Sequence, residues 1–490
     1  MRTAASRHLA ADLALSRAAG APLIDGNAVR VLRDGAENYP AWLDAIAGAE
    51  RFIHFDSYIV HDDRTGALFA EALLERASAG VKVRIIHDWV GALGATPRSF
   101  WYRLADAGAE VRAFNPPSLW RPLAWMSRDH RKMLAVDGRV AYVSGLCVGD
   151  AWVGSADVAP WRDTGLEILG PAVADVHEEF AELWAATGDP LPPEERPDRA
   201  ALPRQGDVAL RVIGTFPAAA TMMRLDTLIA GLARERLWIT DAYFVGVPGY
   251  VQALTAAATD GVDVRLLVPG ESDLPWVRSF SRTGYRGLLA GGVRVFEWNG
   301  PMLHAKTAVA DGLWARIGSS DLNLQSWMGN WELDVAVEDT GFAHAMEQMF
   351  EGDLAGATEV VLHRPTARRR RGPKDGRATP AQPSPPATAR PRRRRTGSGL
   401  AAASALRLGH TVGAALTDKR PLGAAEAPIL VAGGALLLGL AALAAWWPAL
   451  VVYPVAVAGA LFGLSLWAGA WRASRGPRTD RPAGDTIKSL

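Results

Sequence analysis

Two stretches of this 490-residue chain decide its fold: His130-Arg131-Lys132-Met133-Leu134-Ala135-Val136-Asp137-Gly138 and His304-Ala305-Lys306-Thr307-Ala308-Val309-Ala310-Asp311-Gly312. Both read His-x-Lys, four residues, Asp-Gly, and they begin 304 − 130 = 174 residues apart. Residues two apart on a β-strand point to the same face, so each His projects with its Lys. Asp-Gly is a strong signal for a type I′ hairpin turn, because both residues tolerate positive φ. Each stretch therefore predicts a strand and a turn that present a His-Lys pair.

The chemistry of the two pairs suits attack on phosphorus. Imidazole is a good nucleophile when neutral, and Lys supplies positive charge where oxyanion charge develops. A single His-x-Lys is more often an ordinary exposed strand. The duplication favours one site in which the four side chains meet: His130, Lys132, His304 and Lys306.

The duplication extends beyond these stretches. Residues 53–59 resemble 237–244, and residues 80–86 resemble 261–267, with Asp56 matched to Asp241 at an offset of 241 − 56 = 185. Alternating strand and helix patterns predict a mostly parallel sheet with helices on its faces. We therefore expect two similar α/β domains, 29–195 and 206–362, joined near the proline- and charge-rich residues 190–205. Residues 1–28 lack the apolar core of a signal peptide and predict an amphipathic helix that covers the first domain, the alternative being a membrane anchor.

Composition limits the alternatives. The formal net charge of +1 gives no general attraction to nucleic acid. A single cysteine, Cys147, excludes an internal disulfide and a cysteine-based zinc site.

The C-terminal part of the chain changes character twice. Residues 363–420 form a linker rich in Pro and Arg, with arginine blocks at 368–371 and 392–395 that suit either anionic lipid or a plain solubilising tether. Residues 427–471 then contain no charge over 471 − 427 + 1 = 45 positions, about twice the ~20 needed to span a bilayer. Basic flanks predict a transmembrane hairpin with both ends, the tail 472–490 and the catalytic part in the cytoplasm. The alternative is a buried helical pair in a soluble domain.

The paired motifs resemble those of the phospholipase D superfamily, whose signature is HxKxxxxD followed by a GGxN or GSxN turn. The likeness is closest to bacterial cardiolipin synthases, through Asp129-His130-Arg131-Lys132, Pro160-Trp161-Arg162-Asp163 and Gly329-Asn330-Trp331-Glu332-Leu333. The resemblance implies two phospholipase D-like α/β domains about a pseudo-twofold axis, a phosphohistidine intermediate, and no metal or other cofactor. It also implies that His130 is the nucleophile and His304 the general acid, although the pseudo-symmetry permits the exchange of these roles.

The remaining site residues are predicted around this pair. Asp163 and Glu332 would orient the imidazoles, the alternative being solvated carboxylates at strand ends. Asp137 and Asp311 belong to the catalytic motif, but we expect them to shape the turn, with an ionic contact, rather than to act directly.

The turns after the motifs depart from the family pattern. Cys147 and Asp321 stand where the family has Asn, and neither donates a hydrogen bond as an amide does. We expect substrate contacts from Ser144, Ser319 and Asn323 instead.

The function that these expectations favour is phosphatidyl transfer at a membrane: two phosphatidylglycerol molecules would give cardiolipin and glycerol at the anionic inner leaflet. A phospholipase D that hydrolyses phospholipid is the alternative. A nuclease is less favoured, because of the low net charge, and so is a scaffold with a degenerate site.

Overall fold

Both Asp-Gly stretches form hairpin turns in the computed structural model of the chain. The backbone φ is 57° at Asp137 and 70° at Gly138, and 53° and 64° at Asp311 and Gly312. The strands on either side of each turn pair antiparallel. The prediction of two equivalent hairpins with positive φ at the Asp-Gly pair is confirmed.

The structure describes residues 4–117 and 124–362, with side chains from residue 12 onward, and single helical positions between 439 and 467. The strands are β1 Ile24–Arg33, β2 Phe52–Ser57, β3 Lys82–Asp88, β4 Glu110–Phe114, β5 Lys132–Val136, β6 Val140–Ser144, β7 Thr164–Leu169, β8 Val208–Thr215, β9 Arg236–Thr240, β10 Asp263–Pro269, β11 Arg294–Trp298, β12 Thr307–Ala310, β13 Trp314–Gly318, β14 Glu332–Glu338 and β15 Ala357–Val360. The helices are α1 Ala4–Ala19, α2 Asp34–Ala47, α3 Arg64–Ser78, α4 Trp89–Ala92, α5 Arg98–Asp106, α6 Val173–Thr187, α7 Thr221–Leu232, α8 Pro248–Thr259, α9 Pro275–Ala290, α10 Leu324–Met328 and α11 Thr340–Leu354.

The predicted linker 363–420, hairpin 427–471 and tail 472–490 lie outside the described residues, apart from those single positions. Within the described part of the chain, no helix combines the length and the apolar character needed to cross a membrane.

All fifteen strands form one mixed sheet, in the order β15-β11-β10-β9-β12-β13-β14-β8-β1-β7-β6-β5-β2-β3-β4. The prediction of a mostly parallel sheet is wrong, because only β2-β3, β3-β4, β9-β10 and β10-β11 pair parallel. The strand-helix-strand units supply those four pairs. The two motif hairpins and the strands beside them reverse the chain, so the other neighbours are antiparallel.

The strand order repeats on either side of the β1-β8 pair, with β1-β7-β6-β5-β2-β3-β4 answered by β8-β14-β13-β12-β9-β10-β11. The Asp137 N–H donates to Phe52 O at 3.0 Å, and the Asp311 N–H to Arg236 O at 3.1 Å. Phe52 therefore corresponds to Arg236, an offset of 236 − 52 = 184, and the sequence match of Asp56 to Asp241 is one residue out. These strands are buried on both faces, so no polar alternation fixes their register.

The two halves share their central core. Helices α6 and α11 contribute Phe180, Trp184, Met346 and Phe350 to one buried cluster that draws strands from both halves. Each half has a further cluster of its own. A common core fixes the ends of the motif hairpins relative to each other.

Helix α1 was expected to cover the first domain, but it packs on the second. Its Leu15 and Ala19 lie in the cluster that contains Met222 and Leu225 of α7. Asp12 pairs with Arg211 of β8. The helical pattern predicts an apolar face but does not say which surface covers it.

Candidate active site

Each motif histidine lies just before its strand, where the chain pairs with the other half of the molecule. The His130 N–H donates to Trp331 O at 2.8 Å, and the His304 N–H donates to Arg162 O at 2.7 Å. Short parallel bridges join Asp129 to Trp331 and Arg162 to Leu303. Both histidines therefore sit at the junction of the two halves.

The orienting carboxylates are exchanged between the halves. His130 Nδ1 lies 3.0 Å from Glu332 Oε2, and His304 Nδ1 lies 2.8 Å from Asp163 Oδ2. Glu332 and Asp163 are both fully buried, so the alternative of solvated strand-end carboxylates is wrong. Because each carboxylate holds the Nδ1 side of its ring, Nε2 is the nitrogen left without a carboxylate partner.

Three polar side chains hold Glu332 in place, and two of them, Ser326 and Asn330, were not predicted as site residues from the sequence. The hydroxyls of Ser319 and Ser326 donate to its two oxygens at 2.6 Å each, and the Asn330 amide donates at 3.1 Å. Burial raises the pKa of Glu332, while Lys132 and the hydroxyls oppose the shift. Ser319, predicted to contact substrate, thus supports the orienting carboxylate.

Asp163 has a different set of partners. The Trp152 indole donates to it at 2.9 Å and the Thr164 N–H at 2.8 Å. Burial alone would raise the pKa of Asp163, but the neighbouring His304 and Lys306 leave that pKa below its usual value. Asp163 therefore stays ionised beside His304.

The two lysines lie inside the site, each against a tyrosine. Lys306 Nζ lies 3.0 Å from His304 Nε2, and Lys132 Nζ donates to His130 O. The ammonium groups of Lys132 and Lys306 lie 5.2 Å and 5.3 Å from the ring centres of Tyr58 and Tyr243. These rings also pack edge-on against His130 and His304, at centroid distances of 4.9 Å and 5.7 Å. The signal that could have revealed the tyrosines is their position just after the matched strands.

Burial lowers the pKa of both motif histidines. For His130, the charge of Lys132 lowers the pKa further and Asp321 opposes it. For His304, Lys306 acts in the same direction and Asp163 opposes the shift. Lys306 and His304 are also close enough to influence His130, so the two motifs share one electrostatic environment.

Asp137 and Asp311 face away from the histidines. Asp137 accepts hydrogen bonds from the backbone N–H groups of residues 50–52, and Asp311 from those of residues 234–236, all between 2.8 and 2.9 Å. Asp137 also pairs with Arg139 at 3.1 Å. They lie at the turn end of the hairpins, which agrees with the turn-shaping role expected of them and removes them from the catalytic group.

Ser144 and Asn323, which were predicted to contact substrate, form hydrogen bonds within the protein. Ser144 Oγ accepts from Leu146 N–H at 3.2 Å and is fully buried. Asn323 caps α10 by accepting from Ser326 N–H at 3.0 Å, and its amide donates to Tyr243 O at 3.1 Å. Both side chains thus stabilise the turns and the helix end that follow the motif hairpins.

Cys147 and Asp321 stand at the family's two Asn positions. Because a thiol and a carboxyl group differ chemically, the two halves contribute unequally to the site. Cys147 is buried, and burial raises the pKa of its thiol, so it is neutral beside Lys132. Asp321 is buried 3.6 Å from Lys306 Nζ. Across residues 12–117 and 124–362, no three His, Cys, Asp or Glu side chains converge as metal ligands.

Comparison with known proteins matches this site to one family. The family model described as "Cardiolipin synthase, PLD-like domain" matches residues 42–184 and 228–354. Cardiolipin synthase A of Pseudomonas syringae is 34% identical over 363 residues, 73% of this chain and 74% of that protein. Cardiolipin synthase A of Pseudomonas aeruginosa is 36% identical over 355 residues, 71% of each chain.

A solved structure agrees at the level of the fold. The phosphatidylserine synthase of Haemophilus influenzae superposes with a TM-score of 0.55 at 13% identity, over 71% of this chain and 92% of that one. On the sequence matches, the chain belongs to the cardiolipin synthase family of phospholipase D-like proteins.

Proposed function

We propose that the protein transfers a phosphatidyl group from one phosphatidylglycerol to a second, giving cardiolipin and glycerol. The observation that carries the proposal is the exchange of carboxylates, His130 with Glu332 and His304 with Asp163, which supports a single site shared by the two imidazoles. Family membership makes the chain a cardiolipin synthase-like phosphatidyltransferase, so the reaction class has independent support. Phosphatidylglycerol as both donor and acceptor is the finer part of the proposal.

In the first step, His130 Nε2 attacks phosphorus and the bond from phosphorus to the headgroup oxygen breaks. The Glu332 carboxylate on Nδ1 fixes the tautomer that leaves the Nε2 lone pair free. His304 gives its proton to the departing oxygen, and glycerol leaves. The product is a phosphatidyl group bonded to His130.

In the second step, His304 removes a proton from a hydroxyl of the second phosphatidylglycerol. That oxygen attacks phosphorus, the phosphorus–nitrogen bond breaks, and His130 is restored. Asp163 supports this role of His304, because a carboxylate that remains ionised stabilises the imidazolium formed when His304 takes the proton.

The two lysines supply the charge that the reaction needs. Lys132 and Lys306 are buried beside the histidines, where positive charge interacts strongly with the phosphoryl oxygens of the transition state. Both lysine side chains are almost fully buried, and exclusion of water from such a site would favour transfer to a lipid hydroxyl over hydrolysis.

We place the reaction at the cytoplasmic face of a membrane, with residues 427–471 as the transmembrane anchor. The support is the uncharged run and its basic flanks in the sequence. Association with a membrane also fits the relatives, which are cardiolipin synthases.

The test uses the purified full chain with phosphatidylglycerol labelled either in its headgroup glycerol or in its acyl chains. We expect one glycerol released for each cardiolipin formed, and an acid-labile phosphoenzyme on rapid quenching. His130→Ala should abolish both the phosphoenzyme and the cardiolipin. His344→Ala is a matched control because His344 is exposed on α11. Phosphatidic acid as the sole lipid product would establish the hydrolase alternative, and folded protein that forms neither product would exclude both.

A further inference from the structure

Helix α9 turns a row of large aromatic side chains to solvent. Trp276 is 62% exposed and Phe280 53% exposed, and their ring centres lie 6.3 Å apart. The opposite side of the helix is buried through Val277, Tyr285 and Leu288. Large aromatic residues are usually buried, and an exposed cluster marks a surface that binds something.

Two exposed arginines, Arg282 and Arg286, lie on α9 as well, whereas Arg278 is half-buried next to Tyr285. Arg278, Arg282 and Arg286 recur every four residues, and α9 contains no acidic residue. Arg282 pairs with Glu297 at 2.6 Å, whereas Arg278 and Arg286 form no ion pair within the described residues. We call Arg282 and Arg286 together with Trp276 and Phe280 the α9 face; it is aromatic, and Arg286 gives it an unpaired positive charge.

The α9 face is attached to the active site. Tyr243 Oη donates to Asp273 Oδ1 at 2.9 Å, two residues before α9 begins. Ser281 Oγ on the buried side donates to Phe244 O. Because the Tyr243 ring packs against His304, the N-terminal end of α9 lies beside the catalytic pocket.

Exposed apolar residues continue on the other side of Tyr243. The Asn323 amide, which donates to Tyr243 O, precedes Leu324 of α10, whose side chain is 60% exposed. The Gln325 amide donates to Met126 O at 3.1 Å, and Met126 is exposed too. An apolar rim thus borders the site on two sides.

We propose that the α9 face docks on an anionic lipid bilayer, with Trp276 and Phe280 at the boundary between headgroups and acyl chains and the arginines against lipid phosphates. Exposed aromatics beside exposed arginines are the pattern of helices that lie in a membrane interface. Charge favours this occupant over a second copy of the chain, since two α9 faces would bring like charges together. The value of docking for catalysis rests on the proposed function; docking itself requires only lipid.

The direct test reports where α9 lies in the full chain reconstituted in vesicles of phosphatidylglycerol and phosphatidylcholine. Thr283→Cys, on the exposed side of α9, would carry an environment-sensitive fluorophore, and Leu313→Cys, at the far end of the β12-β13 hairpin, is the control. The native Cys147 is buried and should escape labelling. Lipids with a nitroxide on the acyl chain should quench the label at 283 at least about five-fold more than the label at 313.

Equal quenching at the two positions would overturn the proposal. So would a label at 283 that is blue-shifted in detergent and unaffected by nitroxide lipids, because protein would then cover the helix.

A second measurement separates docking from chemistry. Trp276→Ser/Phe280→Ser should lower the ratio of activity on vesicles to activity on dispersed short-chain phosphatidylglycerol by about ten-fold, and Leu313→Ser should leave that ratio unchanged. An unchanged ratio in the double variant would reject docking even where cardiolipin is made. Strong quenching at 283 in a protein that makes no cardiolipin would reject the proposed function and leave docking intact.

Discussion

His130 and Glu332 are 332 − 130 = 202 residues apart in the chain, yet His130 Nδ1 lies 3.0 Å from Glu332 Oε2. The reciprocal pair, His304 with Asp163, closes at 2.8 Å. Each half of the duplication thus orients the imidazole of the other. Neither half alone contains a complete histidine with its carboxylate.

Replacing Glu332 by Gln should lower kcat by at least about 100-fold, because an amide can donate to Nδ1 and stabilise the wrong tautomer. Asp163→Asn should act similarly on the His304 side. Glu351→Gln, at an exposed position of α11, is the matched control. Steady-state rates within three-fold of wild type for both site variants would show that the carboxylates do not orient the rings.

The transfer rate should remain high at pH values where an ordinary histidine is already protonated. Burial and Lys132 lower the pKa of His130 well below 6.5, so the neutral nucleophile persists as the pH falls. We expect the acid limb of the kcat/KM profile below pH 6.5. A limb above that value would mean that His130 is protonated more easily than its surroundings imply.

The two motif hairpins could be predicted from the sequence because a repeated motif fixes both the residue types and their spacing. The hairpins, their positive-φ turns and the His-Lys pairs all followed from one nine-residue pattern. Which carboxylate serves which histidine could not follow, because the exchange depends on how the halves dock and not on local sequence. Asp163 immediately precedes β7 and Glu332 is the first residue of β14, each in its own half, and nothing in their spacing indicates the opposite partner.

Other features depended on tertiary contacts in the same way. Ser326 and Asn330 hold Glu332 only because α10 turns back toward β14. The mixed sheet was missed for a related reason: the alternation of strands and helices predicts parallel pairs, whereas the hairpins contribute antiparallel ones.

Asp321→Asn should raise kcat/KM for phosphatidylglycerol by about three- to ten-fold, because a carboxylate near Lys306 offsets the charge that attracts the lipid phosphate. Asp321 also raises the pKa of His130, so its loss should move the acid limb to still lower pH. Measuring kcat/KM as a function of pH would test both the rate increase and the shift of the acid limb. Asp339→Asn, at the N-cap of α11, serves as a charge-matched control. A lower kcat/KM in Asp321→Asn would instead give the carboxylate a positive role in catalysis.

Asp137→Ala and Asp311→Ala should each destabilise the fold by about 1–3 kcal/mol, because three backbone N–H groups lose their acceptor and a non-glycine residue remains at positive φ. Asn at either position should cost less, since its side-chain oxygen can still accept and it tolerates that φ. Urea unfolding followed by tryptophan fluorescence would measure the difference, with Asp260→Ala in an exposed turn as control. If the variants lost activity but kept their stability, Asp137 and Asp311 would have a catalytic role and not a structural one.

Breaking the buried ion pair between Arg162 and Asp353 should cost more stability than breaking a surface pair, because one charge is left buried without its partner. Arg162 Nε lies 2.9 Å from Asp353 Oδ1, and both side chains are nearly inaccessible to solvent. The pair joins the segment that carries Asp163 to helix α11 of the other half. Asp353→Ala would leave a buried guanidinium with only part of its partners, which costs about 3–5 kcal/mol in buried pairs.

Arg294→Met, which breaks an exposed pair with Glu359, should cost no more than about 1 kcal/mol and is the control. Because Arg162 O accepts from His304 N–H, we also expect Asp353→Ala to lower kcat in the protein that remains folded. Equal losses of stability in Asp353→Ala and Arg294→Met would show that the halves are held by their shared apolar core alone. In that case the position of Asp163 would depend on Trp152 and Thr164, and kcat should survive the loss of Asp353.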